Sequence, residues 1–143
     1  MNLKVKKLHA NAKLPVYGSQ GAACFDLHYA DYMQGDLLPG KVTKVPTGLA
    51  FEIPEGHCML LFGRSGMGAK GIRLANCVGV IDSDYRGEVA VLIFNDSDQI
   101  KCIAPGERIA QAMIIPVPAC SFEQVSELSD TTRGEGGFGS TGK

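Results

Sequence analysis

The chain has 143 residues, 45% hydrophobic and 20% charged, enough for one domain of ordinary size with a real core. A formal net charge of −1 argues against a long nucleic-acid partner, because such binders carry a basic excess that neutralises phosphates. Small phosphorylated ligands need only a few local cations and stay open.

The five cysteines (Cys24, Cys58, Cys77, Cys102, Cys120) contain no Cys-x-x-Cys pair and do not cluster with the three histidines. That spacing speaks against zinc and for reduced, mostly structural thiols in a reducing compartment. The start, Met1 to Leu8, is basic but no apolar stretch follows that would make a signal peptide, and no apolar run approaches membrane-spanning length. A cytoplasmic protein is expected, or a nuclear one in a eukaryotic or viral host, with no membrane partner.

Leu3, Val5 and Leu8 with interleaved lysines predict a short opening strand that is polar on one face. Residues 15–22 read as a loop, and Ala22 to Tyr29 as an apolar segment interrupted by Asp26. An acid there is costly to bury alone, so it faces a solvated cleft or meets a cation. From Leu37 to Phe62, Pro-Gly and Pro-Glu-Gly turns punctuate runs of about five to eight residues rich in Val, Ile, Leu and Phe, an all-β spacing. Gly63 to Gly71 is a Gly-rich loop in which Arg64, Ser65 and Lys70 offer donors to an anion, and Ser65 to Lys70 suits a single helical turn.

The apolar run Val78, Val80, Ile81 then breaks into a polar turn with Asp82, Asp84, Tyr85 and Arg86, and a second apolar run follows from Val89 to Phe94. This predicts a hairpin with acids at its tip, its strands buried on both faces. A solvated turn is the plainer reading of Ser-Asp-Tyr-Arg-Gly, since Asp and Gly favour turns for conformational reasons. After the polar turn at Asn95–Asp98, Glu107 to Pro116 predicts a strand carrying Arg108 and Gln111, and a glutamine in such a run must find partners. Residues 134–143 hold five glycines and no aliphatic residue, so they cannot bury enough apolar surface to order on their own. The expected arrangement is a domain over residues 1–128 and a mobile arm over 129–143.

Jointly these segments resemble the homotrimeric dUTPases, with five motifs in order: Ala22 to Leu27, Gly63 to Met67, Gly79 to Glu88, Gly106 to Gln111, and Arg133 to Gly142. In two places the chain departs from the usual pattern: Gly63 stands where proline is common, and the loop at Lys70–Gly71 is shorter than in many relatives. The resemblance implies an all-β, jelly-roll-like barrel with a flexible Gly-rich tail, assembled as a homotrimer with active sites at subunit interfaces. It implies hydrolysis of dUTP to dUMP and diphosphate with Mg2+, which keeps uracil out of DNA and supplies dUMP for thymidylate synthesis.

Carried residue by residue, the resemblance makes Asp82 the general base and Tyr85 the platform beneath the deoxyribose. Asn76, Gly79, Val80, Ile81 and Ala90 surround uracil. Arg64, Ser65, Gly66 and Gln111 meet the phosphates, and Asp26 holds the water shell of the phosphate-bound Mg2+. Arg108 becomes structural, pairing with acids near the hairpin. Arg133, Phe138, Gly139, Ser140 and Thr141 belong to the closing tail, with Phe138 on uracil. Two alternatives remain open: dCTP deaminase, similar in fold and assembly, and a nucleotide-responsive signalling protein.

Overall fold

The structure is a computed structural model that describes residues 1–138. Among these residues the strands are β1 (Lys4–Lys7), β2 (Val16–Tyr17), β3 (Phe25–His28), β4 (Gly35–Leu37), β5 (Val42–Pro46), β6 (Leu49–Glu52), β7 (His57–Phe62), β8 (Ile72–Leu74), β9 (Gly79–Ile81), β10 (Ala90–Asn95), β11 (Lys101–Ile103) and β12 (Arg108–Pro116). One short helix, α1 (Ser65–Gly68), supplies the helical turn anticipated in the Gly-rich loop. The all-β expectation holds, and every described pairing is antiparallel. No helix among the described residues is long and apolar enough to cross a membrane.

The largest sheet has the order β2-β3-β12-β7-β9; β5-β10-β8 forms a second, and β1-β6 and β11-β4 are two-stranded ribbons. Their inner faces meet in one core, in which Leu27, Leu49, Met59, Ile93 and Ile109 are at most 1% exposed. Each such side chain contributes about 1.5–3 kcal/mol by leaving water. The stretch read as a loop at residues 15–22 contains β2, a two-residue strand pairing with β3.

The predicted hairpin is not a ladder. β9 is the edge of the five-stranded sheet, bound only to β7, while β10 sits between β5 and β8 in the other sheet. Residues 82–89 therefore cross from one sheet to the other, and the acids ride on that crossing. Nor are the strands buried on both faces: Val91 and Ile93 point inward, whereas Val80 is 60% and Leu92 40% exposed. Among the described residues nothing covers Val80 and Leu92 on this outer face.

The loop that receives the crossing is built on Gly48. Its φ of 65° lies in the left-handed region, and a Cβ there would stand 2.8 Å from the Ala12 Cβ and 2.9 Å from the Ala30 Cβ, so only glycine fits. Of the cysteines, Cys58 is buried and Cys24 half-buried, but Cys77, Cys102 and Cys120 are exposed. The structural reading thus fails for those three, which lie in turns, on a ribbon edge and beyond β12. Residues 117–138 contain no helix or strand and are exposed almost throughout, with Phe122 and Leu128 bare to solvent.

Candidate active site

Strand register creates the first cleft. Gln111 on β12 stands opposite Asp26 on β3 and opposite Phe62 on β7, so the loop leaving β7 passes over both side chains. Asp26 is 9% exposed, and both its oxygens are used. Oδ1 accepts from Arg64 Nε at 3.1 Å and Oδ2 from Arg108 Nη1 at 3.2 Å. Arg108 thus pairs with Asp26 rather than with acids near the crossing: it stands opposite His28 on β3, two residues from Asp26, whereas residues 82–88 leave from the edge strand β9. Arg64 Nη1 also donates to the Arg108 carbonyl at 3.3 Å. Two guanidinium groups on one carboxylate leave the cluster with a net positive charge.

Around it lies a cavity of about 200 Å3 lined by Gly18, Ala22, Cys24, Asp26, Arg64, Ser65 and Gln111. Gln111 Nε2 donates to the Gly63 carbonyl at 3.0 Å. That leaves its second N–H available, since an amide carries two. At Gly63 a Cβ would find nothing nearer than Leu74 at 3.7 Å, so the departure from proline is not forced by crowding. Ser65 opens α1, whose first turn closes by Gly68 N donating to Arg64 O at 2.9 Å. Burial, then the Asp26 charge, pushes the Cys24 thiol up. Burial, helped by Lys13, pushes His28 down, so its imidazole stays neutral beside the cluster.

The second cleft, about 410 Å3, is lined by Lys44, Val80, Ile81, Asp82, Tyr85, Glu88, Val89, Ala90 and Leu92. Asp82 is exposed at its rim. Its turn is tied down on several sides. Tyr85 N donates to Asp82 O at 3.2 Å, and Tyr85 Oη to Glu88 O at 3.0 Å. Arg86 Nη1 donates to Ser83 O at 2.6 Å and Tyr85 O at 3.0 Å. Glu88 Oε1 accepts the Gly48 N–H at 2.7 Å, and Val89 N donates to Leu49 O at 2.8 Å. Glu88 was not singled out from the sequence, where it reads as one more acid of the turn. The free edge of β9 adds unpaired backbone groups to this side of the molecule.

The clefts lie at opposite ends of β7. Ile81 is level with Met59, which puts Asp82 level with Cys58, six positions before Arg64. At about 3.3 Å per residue the separation is on the order of 20 Å. The structure therefore brings together Val80, Ile81, Asp82, Tyr85 and Ala90 in one cleft and Asp26, Arg64, Ser65 and Gln111 in the other. Gly66 lies in α1 beside the second group. Gly79 is buried against Leu61, and Asn76 is exposed in the turn before β9, next to Cys77 with its left-handed φ of 60°. Arg133 Nε donates to Gly136 O at 2.7 Å in the tail, and Phe138 is fully exposed. Gly139, Ser140 and Thr141 lie outside the described residues.

Residues 10–142 match the dUTPase family. The chain belongs to the dUTPase family. The deoxyuridine 5'-triphosphate nucleotidohydrolase of Nautilia profundicola is 49% identical over 144 residues, covering 100% of both chains. That of Syntrophotalea carbinolica is 45% identical over 99% of this chain and 97% of its own. Among solved structures, the dUTPase of Staphylococcus bacteriophage 80alpha with dUPNHPP superposes with a TM-score of 0.91 at 32% identity, covering 99% of each chain. The D95N mutant dUTPase of phage phi11 of S. aureus, whose structure shows the coordination of a structural Mg(II) ion, gives 0.79 at 27% identity over 89% of this chain and 98% of that one. With the family in hand, the two clefts are two parts of a dUTPase fold, one acidic at its rim and one cationic.

Proposed function

We propose that this chain hydrolyses dUTP to dUMP and diphosphate, Asp82 activating a water that attacks the α-phosphate. The observation that carries this reading is the placement of an exposed carboxylate, on a turn tied at both ends, at the mouth of an apolar cleft of nucleoside size. Asp82 takes the proton of the water as the new oxygen–phosphorus bond forms and diphosphate leaves. Such general-base catalysis typically contributes about 10²–10⁴-fold.

Recognition divides between the clefts. Tyr85, held by its hydroxyl on Glu88 O, forms the floor under the deoxyribose and leaves no space for a 2′-hydroxyl. The free edge of β9 at Gly79, Val80 and Ile81, with Asn76 and Ala90, reads uracil as a base-pair partner would. Arg64, Ser65, Gly66 and the second N–H of Gln111 neutralise and orient the phosphates, which is most of what phosphoryl transfer asks of a protein.

Both Asp26 oxygens are occupied by arginines. That fits a Mg2+ ion held by substrate oxygens and water, with Asp26 touching only its water shell. When bound, the ion would neutralise charge on the phosphate chain.

A separation on the order of 20 Å exceeds what one nucleotide spans comfortably, so the phosphate cleft of one subunit serves the nucleoside cleft of another. The outer apolar face of β9 and β10, uncovered in this chain, supports the homotrimer with sites between subunits. Residues 129–143 would close over the site, Phe138 covering uracil and Arg133, Ser140 and Thr141 meeting the γ-phosphate, with Gly139 between them, which excludes bulk water. In the cell this activity keeps uracil out of DNA and supplies dUMP for thymidylate synthesis, in the cytoplasm.

The test is diphosphate release from dUTP, dTTP, dCTP and UTP with and without Mg2+. Fast, Mg2+-stimulated release from dUTP alone is expected. Ammonia from dCTP would make the chain a deaminase, and binding without release would make it a sensor.

A further inference from the structure

The crossing that carries Asp82 and Tyr85 ends against a loop from another part of the chain, and the side chain that makes the join has no part in the proposed mechanism. Glu88 Oε1 accepts the N–H of Gly48, 40 residues earlier, at 2.7 Å. Gly48 is a fixed anchor. Its carbonyl accepts the Leu8 N–H at 2.8 Å, and its Cα faces the Ala12 and Ala30 methyl groups with no room for a side chain. On either side of it, Thr47 Oγ1 donates to the Val89 carbonyl and Leu49 O accepts the Val89 N–H at 2.8 Å. Thr47 and Leu49 are wholly buried, so the loop belongs to the core.

One peptide unit transmits this anchorage to the site. The amide between Glu88 and Val89 gives its N–H to Leu49 O, and its carbonyl accepts the Tyr85 Oη at 3.0 Å. In a trans peptide these two groups point opposite ways, so the tyrosine rests on a plane that the 47–49 loop holds from the other side. The residue before it is Gly87, whose backbone is the least restricted of any. The Val89 bonds hold the far end of the crossing; the Glu88 bond is the one nearest that flexible point. A side-chain oxygen of an acid or an amide can accept the Gly48 N–H, and an aliphatic side chain cannot.

We propose that Glu88 is a positioning residue: by accepting the Gly48 N–H it fixes the peptide on which Tyr85 rests, and with it the height of the floor beneath the deoxyribose. This rests on the reading of Tyr85 as that floor. Because Tyr85 N donates to Asp82 O at 3.2 Å, the same tie steadies the backbone of the general base. The role belongs to the hydrogen bond and not to the charge, so Glu88→Gln preserves it and Glu88→Ala does not.

The experiment compares kcat and KM for dUTP and for UTP in wild type, Glu88→Ala, Glu88→Gln and Tyr85→Ala, with melting temperatures. In Glu88→Ala the ratio of kcat/KM for dUTP to that for UTP should fall about five-fold, the worth of the hydrogen bond that Tyr85 loses, while Glu88→Gln keeps most of it. A fold merely loosened has fewer active molecules, which scales both nucleotides alike and leaves that ratio unchanged. Tyr85→Ala is the reference. If it leaves the ratio at the wild-type value, or if wild type does not hydrolyse dUTP, the underlying reading falls. A ratio lowered in Tyr85→Ala but unchanged in folded Glu88→Ala overturns this inference alone. So does Glu88→Gln as impaired as Glu88→Ala, since the charge would then be what matters. Should Glu88→Ala fail to fold, Glu88→Asp carries the same comparison, its carboxylate drawn back from Gly48 by one methylene.

Discussion

The two clefts are made in different ways. The cleft proposed for the nucleoside comes mostly from one continuous stretch, residues 80–92, and sets apolar side chains beside Asp82, Glu88 and Lys44. The phosphate cleft is gathered from residues 18–26, 64–65 and 111, and its polar atoms largely bind one another: Asp26 to two arginines, Gln111 to Gly63. One is a shape held by its turn; the other is a charge balance held by strand register. A group that does chemistry can be exposed and free in the first, whereas any change in the second disturbs a buried pair as well.

The largest expected effect tests that freedom. The Asp82 side chain makes no hydrogen bond or ion pair among the described residues, so Asp82→Asn removes a base without unsettling a partner. Turnover should fall about 10²–10⁴-fold while affinity for a non-hydrolysable dUTP analogue and melting temperature hold. Undiminished kcat would take Asp82 out of the mechanism.

A second experiment asks whether the clefts cooperate between chains. Asp82→Asn and Gln111→Leu, each feeble alone, are unfolded together and reassembled. If each site takes one cleft from each of two subunits, roughly a quarter of sites in random mixed oligomers regain both intact halves. No recovery of dUTPase activity in oligomers verified as mixed would mean that one chain supplies both clefts, against the separation along β7.

This difference also decides what was legible in the sequence. Asp82, Tyr85 and the apolar residues around them are contiguous, so turn chemistry and apolar runs locate them together. The predicted ladder between β9 and β10 failed because local apolar runs say nothing about which sheet each strand joins. Asp26 was expected to face a solvated cleft or to meet a cation; it meets two, and their identity depends on β3, β7 and β12 being neighbours. Arg108 was misassigned for the same reason. Glu88 and Lys44 were missed, although on β5 a polar Lys44 precedes an apolar Val45, and Lys44 is exposed where Val45 is buried. No pattern in the sequence reveals that it shares a cleft with Ala90.

The smallest expected effect concerns the shape of the nucleoside cleft. At Gly87 a Cβ would fall 2.4 Å from the Tyr85 Oη and 2.5 Å from its Cζ, closer than real atoms approach. Tyr85 is half-exposed and its ring tip can move, so the core does not feel Gly87→Ala. What is lost is the hydrogen bond from Tyr85 Oη to Glu88 O, worth about 1 kcal/mol or roughly five-fold. If Tyr85 is the floor that bars a 2′-hydroxyl, as proposed, the ratio of kcat/KM for dUTP to that for UTP should fall by about that factor, while melting temperature stays put. A large drop in melting temperature instead would show that the crossing from β9 to β10 bears on stability, and that the nucleoside cleft is held less by Tyr85 than by the fold around it.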